Sequence, residues 1–212
     1  MSNKLDSFMT EHFNSLQLRP ALFYNWPYGI RFEISMPWIE YEDKENLQQI
    51  KERSIGLFND VFHATDDIWF ITDVHCEKND HFLQKRPTKV YQKYIKDNKV
   101  AMKLQHKVFA EEDIVTHRFI LPCKKSDIRY HQLLSAISYE DFPHPTRILN
   151  NYDRAGYNIY FVNITKKFIY HLYDDRGCDV VASNKEDLRP LYKERYAWIL
   201  DYDREQIDKL FK

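Results

Sequence analysis

The chain has 212 residues and a mass of 25.8 kDa, enough for one sizeable domain without disulfide staples. Its 43% hydrophobic and 16% aromatic content excludes a disordered tail, and four glycines without a repeat exclude collagen-like chains and solenoids. Thirty-one basic and 32 acidic residues give a net charge of −1, so no global attraction to nucleic acid or anionic lipid is expected. The charge is nevertheless uneven. Residues 40–80 hold 11 acidic against 4 basic residues, or −7, and residues 81–130 hold 12 basic against 5 acidic, or +7. Either these segments are solvated or face one another, or they give the molecule acidic and basic faces that steer a charged partner. No apolar run approaches the ~20 residues of a membrane helix, and the opening MSNKLDSFMTEHF lacks the apolar centre of a secretory signal. A soluble cytoplasmic protein with no membrane partner is expected. Its three cysteines, Cys76, Cys123 and Cys178, are odd in number and form no C-x-x-C, which favours reduced packing residues.

In chain order, Leu5, Phe8, Met9, Phe13 and Leu16 share one helical stripe. Residues 20–28, PALFYNWPY, read as an aromatic loop. Ile30, Phe32 and Ile34 alternate with Arg31, Glu33 and Ser35, the pattern of a half-buried strand. Helical spacing runs over 42–62, with acidic residues crowding its first turn. Ile68–Ile71 is continuously apolar and suits a central strand. Alternation from Val100 to Val108, the acidic turn Glu111–Asp113 and the run Ile114–Leu121 together predict a β-hairpin with one basic face. Tyr130, Leu133, Leu134 and Ile137 predict a helix, and FPHP at 142–145 a loop. Residues 157–164 and 168–173 are β-rich, Asp174–Gly177 is a turn, and a further strand starts at Asp179. Ser183 with Glu186 suggests a capping box, Pro190 should interrupt the helix it opens or start a new one, and Asp203 with Gln206 caps the last helix. No linker divides the chain. The expectation is an α+β fold over 1–212: one domain, a mainly antiparallel sheet, helices packed on it.

Three stretches could carry function. YHLYDDRGCDVV, residues 170–181, is either a well-made hairpin turn with Arg176 paired to a carboxylate, or a partner- or metal-facing cluster of Asp174, Asp175 and Asp179 near His171. It lacks the D-x-D-x-D-G spacing and closing glutamate of an oxygen-ligand loop, so no metal is expected there. FYNWPYGIRFE, residues 23–33, sets Tyr24, Trp26 and Tyr28 beside Arg31, either plugging the end of the core or forming a recognition hot spot. The basic run Lys85–Lys107 interleaves Tyr91 and Tyr94 as single-strand binding surfaces do, but a solvated charge run is the commoner arrangement. His75-Cys76-Glu77 has no zinc spacing, and the chain has no P-loop, G-x-S-x-G, G-x-G-x-x-G or H-E-x-x-H, so no cofactor is expected.

YNWPYGIRFE, FNDVFHATDDIWF, YDDRGCDVVASNKEDLRPLY and WILDYDREQIDKLF resemble the family catalogued as domain of unknown function 3885. The resemblance implies a single-domain bacterial protein and nothing about chemistry. The composition is also similar to that of small immunity proteins of bacterial toxin systems, with acidic and basic patches, many aromatics and no catalytic signature. The leading expectation is a non-catalytic, protein-binding protein, immunity-like or regulatory. The alternative is a hydrolase, metal-assisted or not, using the Asp174/Asp175/Asp179 cluster with His171; nucleic-acid binding ranks third.

Overall fold

The structure, a computed structural model, describes residues 4–78, 88–110, 113–148 and 156–212. Lys85, Arg86, Glu111 and Glu112, part of the basic run and of the acidic turn, lie outside them. The elements are α1 (Lys4–Phe13), α2 (Leu22–Asn25), β1 (Gly29–Glu33), α3 (Lys44–Val61), β2 (Asp67–Glu77), α4 (Lys89–Tyr94), α5 (Asn98–Ala101), β3 (Gln105–Ala110), β4 (Ile114–Lys124), α6 (Tyr130–Ser138), β5 (Gly156–Asn163), β6 (Phe168–Leu172), β7 (Gly177–Ala182), α7 (Lys185–Glu194) and α8 (Asp201–Phe211).

The strands form one antiparallel sheet in the order β1-β7-β6-β5-β2-β4-β3, so the fold is α+β and forms a single domain. Strand β2, eleven residues long, lies between β5 and β4, as its apolar centre requires. Both faces are covered. Ile30, Phe32, Phe70, Phe161, Tyr170 and Val180 face the larger core with Leu57, Phe58 of α3 and Leu133, Leu134 of α6. Trp69, Ile71, Tyr160, Ile169 and Val181 face a second core sealed by Leu5, Phe8, Met9 and Phe13 of α1. Two covered faces explain why β6 and β7 are buried along their whole length. Among the described residues Cys76, Cys123 and Cys178 form no disulfide, and all three are buried among these side chains.

Four local expectations are corrected. Val100, Met102 and Leu104 do not continue the hairpin: Asp97 accepts from Lys99 N–H and caps the short α5, so β3 starts at Gln105. The PALFYNWPY segment contains the helical turn α2. Asn184, not Ser183, caps α7, and Asp203 lies within the first turn of α8, buried, where it accepts the Tyr24 hydroxyl at 3.0 Å. Pro190 neither stops nor starts a helix. It sits exposed inside α7, where burial of Leu188 and Leu191 on the opposite stripe outweighs the one hydrogen bond that proline cannot donate.

Candidate functional site

The aromatic loop is largely committed to the fold. Trp26 donates its indole N–H to the Ala182 carbonyl at 2.7 Å and packs against Phe13 and Tyr28. Arg31 makes a bidentate pair with Asp179, Nε to Oδ1 at 2.7 Å and Nη2 to Oδ2 at 3.0 Å, and Asp179 also accepts Phe23 N–H at 3.1 Å. Burial opposes the Arg31 charge, but the hydrogen-bonded Asp179 more than compensates, and the guanidinium titrates above its ordinary range. Its guanidinium also lies over the Tyr24 ring, 4.4 Å from the centroid. Tyr24 keeps half its surface exposed, and Trp26 and Tyr28 are half-buried. In the basic run, Tyr91 and Tyr94 are both buried, so neither offers a ring on which a base could stack.

The carboxylates of the 170–181 stretch do three different things. Asp179 is the buried partner of Arg31. Asp174 accepts Arg176 N–H at 2.7 Å, closing the turn, and binds the Arg176 guanidinium as well; the guanidinium reaches on to Asp141 at 3.2 Å. Asp175 is raised to about 6 by burial first and by Asp174 second, against the pull of Arg176. His171, opposite Asp179 in the sheet register, is wholly buried, and neither ring nitrogen has a hydrogen-bond partner. Among the described residues, no group of three or more His, Cys, Asp or Glu side chains could hold a metal ion. Gly177 is needed for space and not for a left-handed turn: a Cβ there would collide with the Tyr173 hydroxyl.

The sign of the Asp175 shift fixes an expectation. Its folded-state pKa lies above the ordinary value of 3.8, so ionisation works against the fold, and stability falls as pH rises from about 4 to about 6. Asp175→Asn should raise stability above pH 6 by about 1–2 kcal/mol, screening included, and flatten that slope. Urea titrations at pH 4 and pH 7 check both.

What the turn does build is one wall of a surface groove of about 680 Å³, shared with residues 35–41 and with Asp141 and Phe142 beyond α6. Ile34 N–H donates to the Arg176 carbonyl at 2.9 Å, tying the loop to the turn. Buried Asn46 of α3 holds both ends of the loop, accepting Met36 N–H at 2.8 Å and donating to the Glu40 carbonyl at 3.4 Å. Tyr41 stacks on Phe142, 3.7 Å between centroids and 9° between planes. On this support Trp38 stands 99% exposed with φ 66°, and Ile39 beside it is 48% exposed. A left-handed backbone is strained for a bulky side chain and persists only where its surroundings impose it. Residues 35–45, 141 and 174–176 together carry seven carboxylates against Lys44 and Arg176.

A larger groove of about 810 Å³ lies between the end of α3, the β5–β6 turn and α7. Two of its charges are paired with residues outside it, Asp60 with Arg195 and Lys166 with Asp66, and no large exposed apolar side chain lines it.

No sequence motif marks Trp38, Ile39, Tyr41 or Phe142 as site residues. The available signal is the pair Trp38-Ile39 in MPWIEYED, which fits neither a strand alternation nor a helical stripe and directly precedes an acidic helix start.

An antiparallel α+β sheet protein that presents a strained, exposed tryptophan on an acidic rim is thus the class that fold and groove define. The chain belongs to the family described as Domain of unknown function (DUF3885), whose profile matches residues 5–203. It is 32% identical over 210 residues to the Uncharacterized protein YnaE of Bacillus subtilis (strain 168), covering 93% of this chain and 98% of that protein. No solved structure matches the chain.

Proposed function

We propose that this is a non-catalytic, cytoplasmic protein-binding protein whose partner docks on the groove beside the 174–177 turn. The carrying observation is Trp38: a fully exposed indole held in a strained backbone by Asn46 and the turn. Exposed large apolar side chains on a rigid support mark interaction sites, and tryptophan leads the residues that dominate interface energies. The seven carboxylates around it favour a partner pocket that takes the indole and is ringed by lysine or arginine. Three cysteines that form no disulfide among the described residues support the cytoplasmic reading. The hydrolase reading needs an accessible base beside the turn carboxylates, and His171 is buried without solvent contact.

The test is quantitative capture from cells of the producing bacterium with the wild type, Trp38→Ala and Trp26→Ala. Trp38→Ala should leave the melting temperature within about 2 °C, because an exposed residue carries little stability. It should weaken retention of the captured partner by about thirtyfold or more, the 2 kcal/mol of a hot spot. Binding should also shift Trp38 fluorescence to the blue. Undiminished retention by Trp38→Ala would overturn the assignment.

A further inference from the structure

The sheet ends at β3, and among the described residues nothing pairs with the outer edge of that strand. Natural edge strands are guarded by proline, by bulges or by free charge. This one has no proline, and its single charged residue, Lys107, is tied to Asp6 of α1 at 2.7 Å. Val108 and Phe109 are 54% and 43% exposed, and Met102 before the strand and Ile114 after it are exposed as well. The sequence carries opposite charge at the two ends of the strand. Lys99 and Lys103 precede it, and Glu111, Glu112 and Asp113 follow it. Asp97, the acid before the strand, is taken up as the cap of α5, whereas Lys99, Lys103 and Asp113 are exposed. An edge that is positive at one end and negative at the other complements itself when a second copy runs antiparallel to it.

We propose that β3 pairs with β3 of a second copy of this chain, antiparallel and about a two-fold axis, joining two seven-stranded sheets into one. Such an axis runs perpendicular to the sheet and leaves α1 of both copies on the same side. Directly opposed residues share a face, so their numbers are both odd or both even. Two registers centre near the middle of the strand. Centred on Lys107, the pair would set the two Lys107 side chains against each other, which like charges oppose. Centred on Val108, it sets Val108 against Val108 and Lys107 against Phe109, and brings Asp113 to the end where the second copy carries Lys103. This register covers the exposed apolar side chains of the strand and joins opposite charges at both ends, so it is the one formed. The edge lies across the whole sheet from β1, the strand that leads into the Trp38 loop, so the dimer leaves the groove free.

Sedimentation equilibrium of the full chain is expected to show a dimer with a dissociation constant of about 10–100 µM, weak because two six-residue strands make a small interface. Alternate amides of Gln105–Ala110, those pointing to the outer edge, should exchange more slowly as concentration rises. Lys103→Glu and Asp113→Lys change exposed positions outside the strand. Each should keep the melting temperature and weaken the dimer by about tenfold, because like charges then meet at both ends. An equimolar mixture of the two variants restores opposite charges at both ends and should associate as tightly as the wild type. Trp38→Ala should leave the dimer intact. A chain that stays monomeric up to about 1 mM would overturn the proposal, the free energy of association then being too small to matter. So would a dimer without protection in β3, charge variants that associate like the wild type, a mixture no tighter than its components, or a dimer lost with Trp38→Ala.

Discussion

Asp179→Ala should lower the unfolding free energy by about 3–5 kcal/mol, the cost of breaking a buried ion pair from one side. The carboxylate is fully buried and accepts three hydrogen bonds, two from Arg31 and one from Phe23 N–H. Its removal leaves a guanidinium and a backbone donor without partners and unties α2 from β7. The pair itself is worth far less than that loss, because its desolvation offsets most of its attraction. The double variant Arg31→Met/Asp179→Leu should therefore recover most of the stability. Urea denaturation of the wild type, the single and the double variant separates the two effects. A double variant as unstable as Asp179→Ala would show that shape, and not the stranded charge, sets the cost.

The second large effect is on pH dependence. Burial first, and Arg31 second, push the His171 imidazole down to about 3. Its folded-state pKa lies below the ordinary 6.5, so on acidification the unfolded chain takes up the proton first. The contribution is complete above pH 6.5 and is lost as pH falls toward 3, at up to about 1.4 kcal/mol per pH unit. Asp175 acts in the opposite sense between about 4 and 6, so the informative quantity is the difference between the wild type and His171→Leu. His171→Leu should remove the acid-side loss. At pH 7 it should be neutral or stabilising, because it deletes two buried nitrogens that have no hydrogen-bond partner. Stability curves from pH 3 to 8 that run parallel for the two proteins would exclude His171 as the source.

The 20–33 segment shows where sequence reasoning reaches its limit. Alternation of Ile30, Arg31 and Phe32 correctly predicts the strand, and it predicts Arg31 on a wet face. That face is in fact covered by α2 and its flanking residues, and Arg31 survives burial only because Asp179, 148 residues away, stands opposite it in the register. The same long-range pairing separates Asp179 from Asp174 and Asp175, which look like one cluster when read along the chain. Trp38 fails in the other direction. An apolar pair in a loop carries no period, so nothing local distinguishes a core plug from a side chain standing in solvent.

Hydrophobic periodicity by itself determined the α+β class, the one-sheet architecture, β1, β2 and the β5–β7 run, and the helices α1, α3 and α6, and residue counts determined the split between acidic and basic segments. Those features rest on contacts within a few residues or on total composition, which a linear reading contains. Tertiary structure alone decided the strand order, which places β1 and β3 at opposite edges and so separates the acidic groove from the open edge of β3. It also decided which polar side chains are buried. Burial depends on whether a second layer covers the face, and here that layer is supplied by α1 and α2, far in sequence from β6 and β7 beneath them.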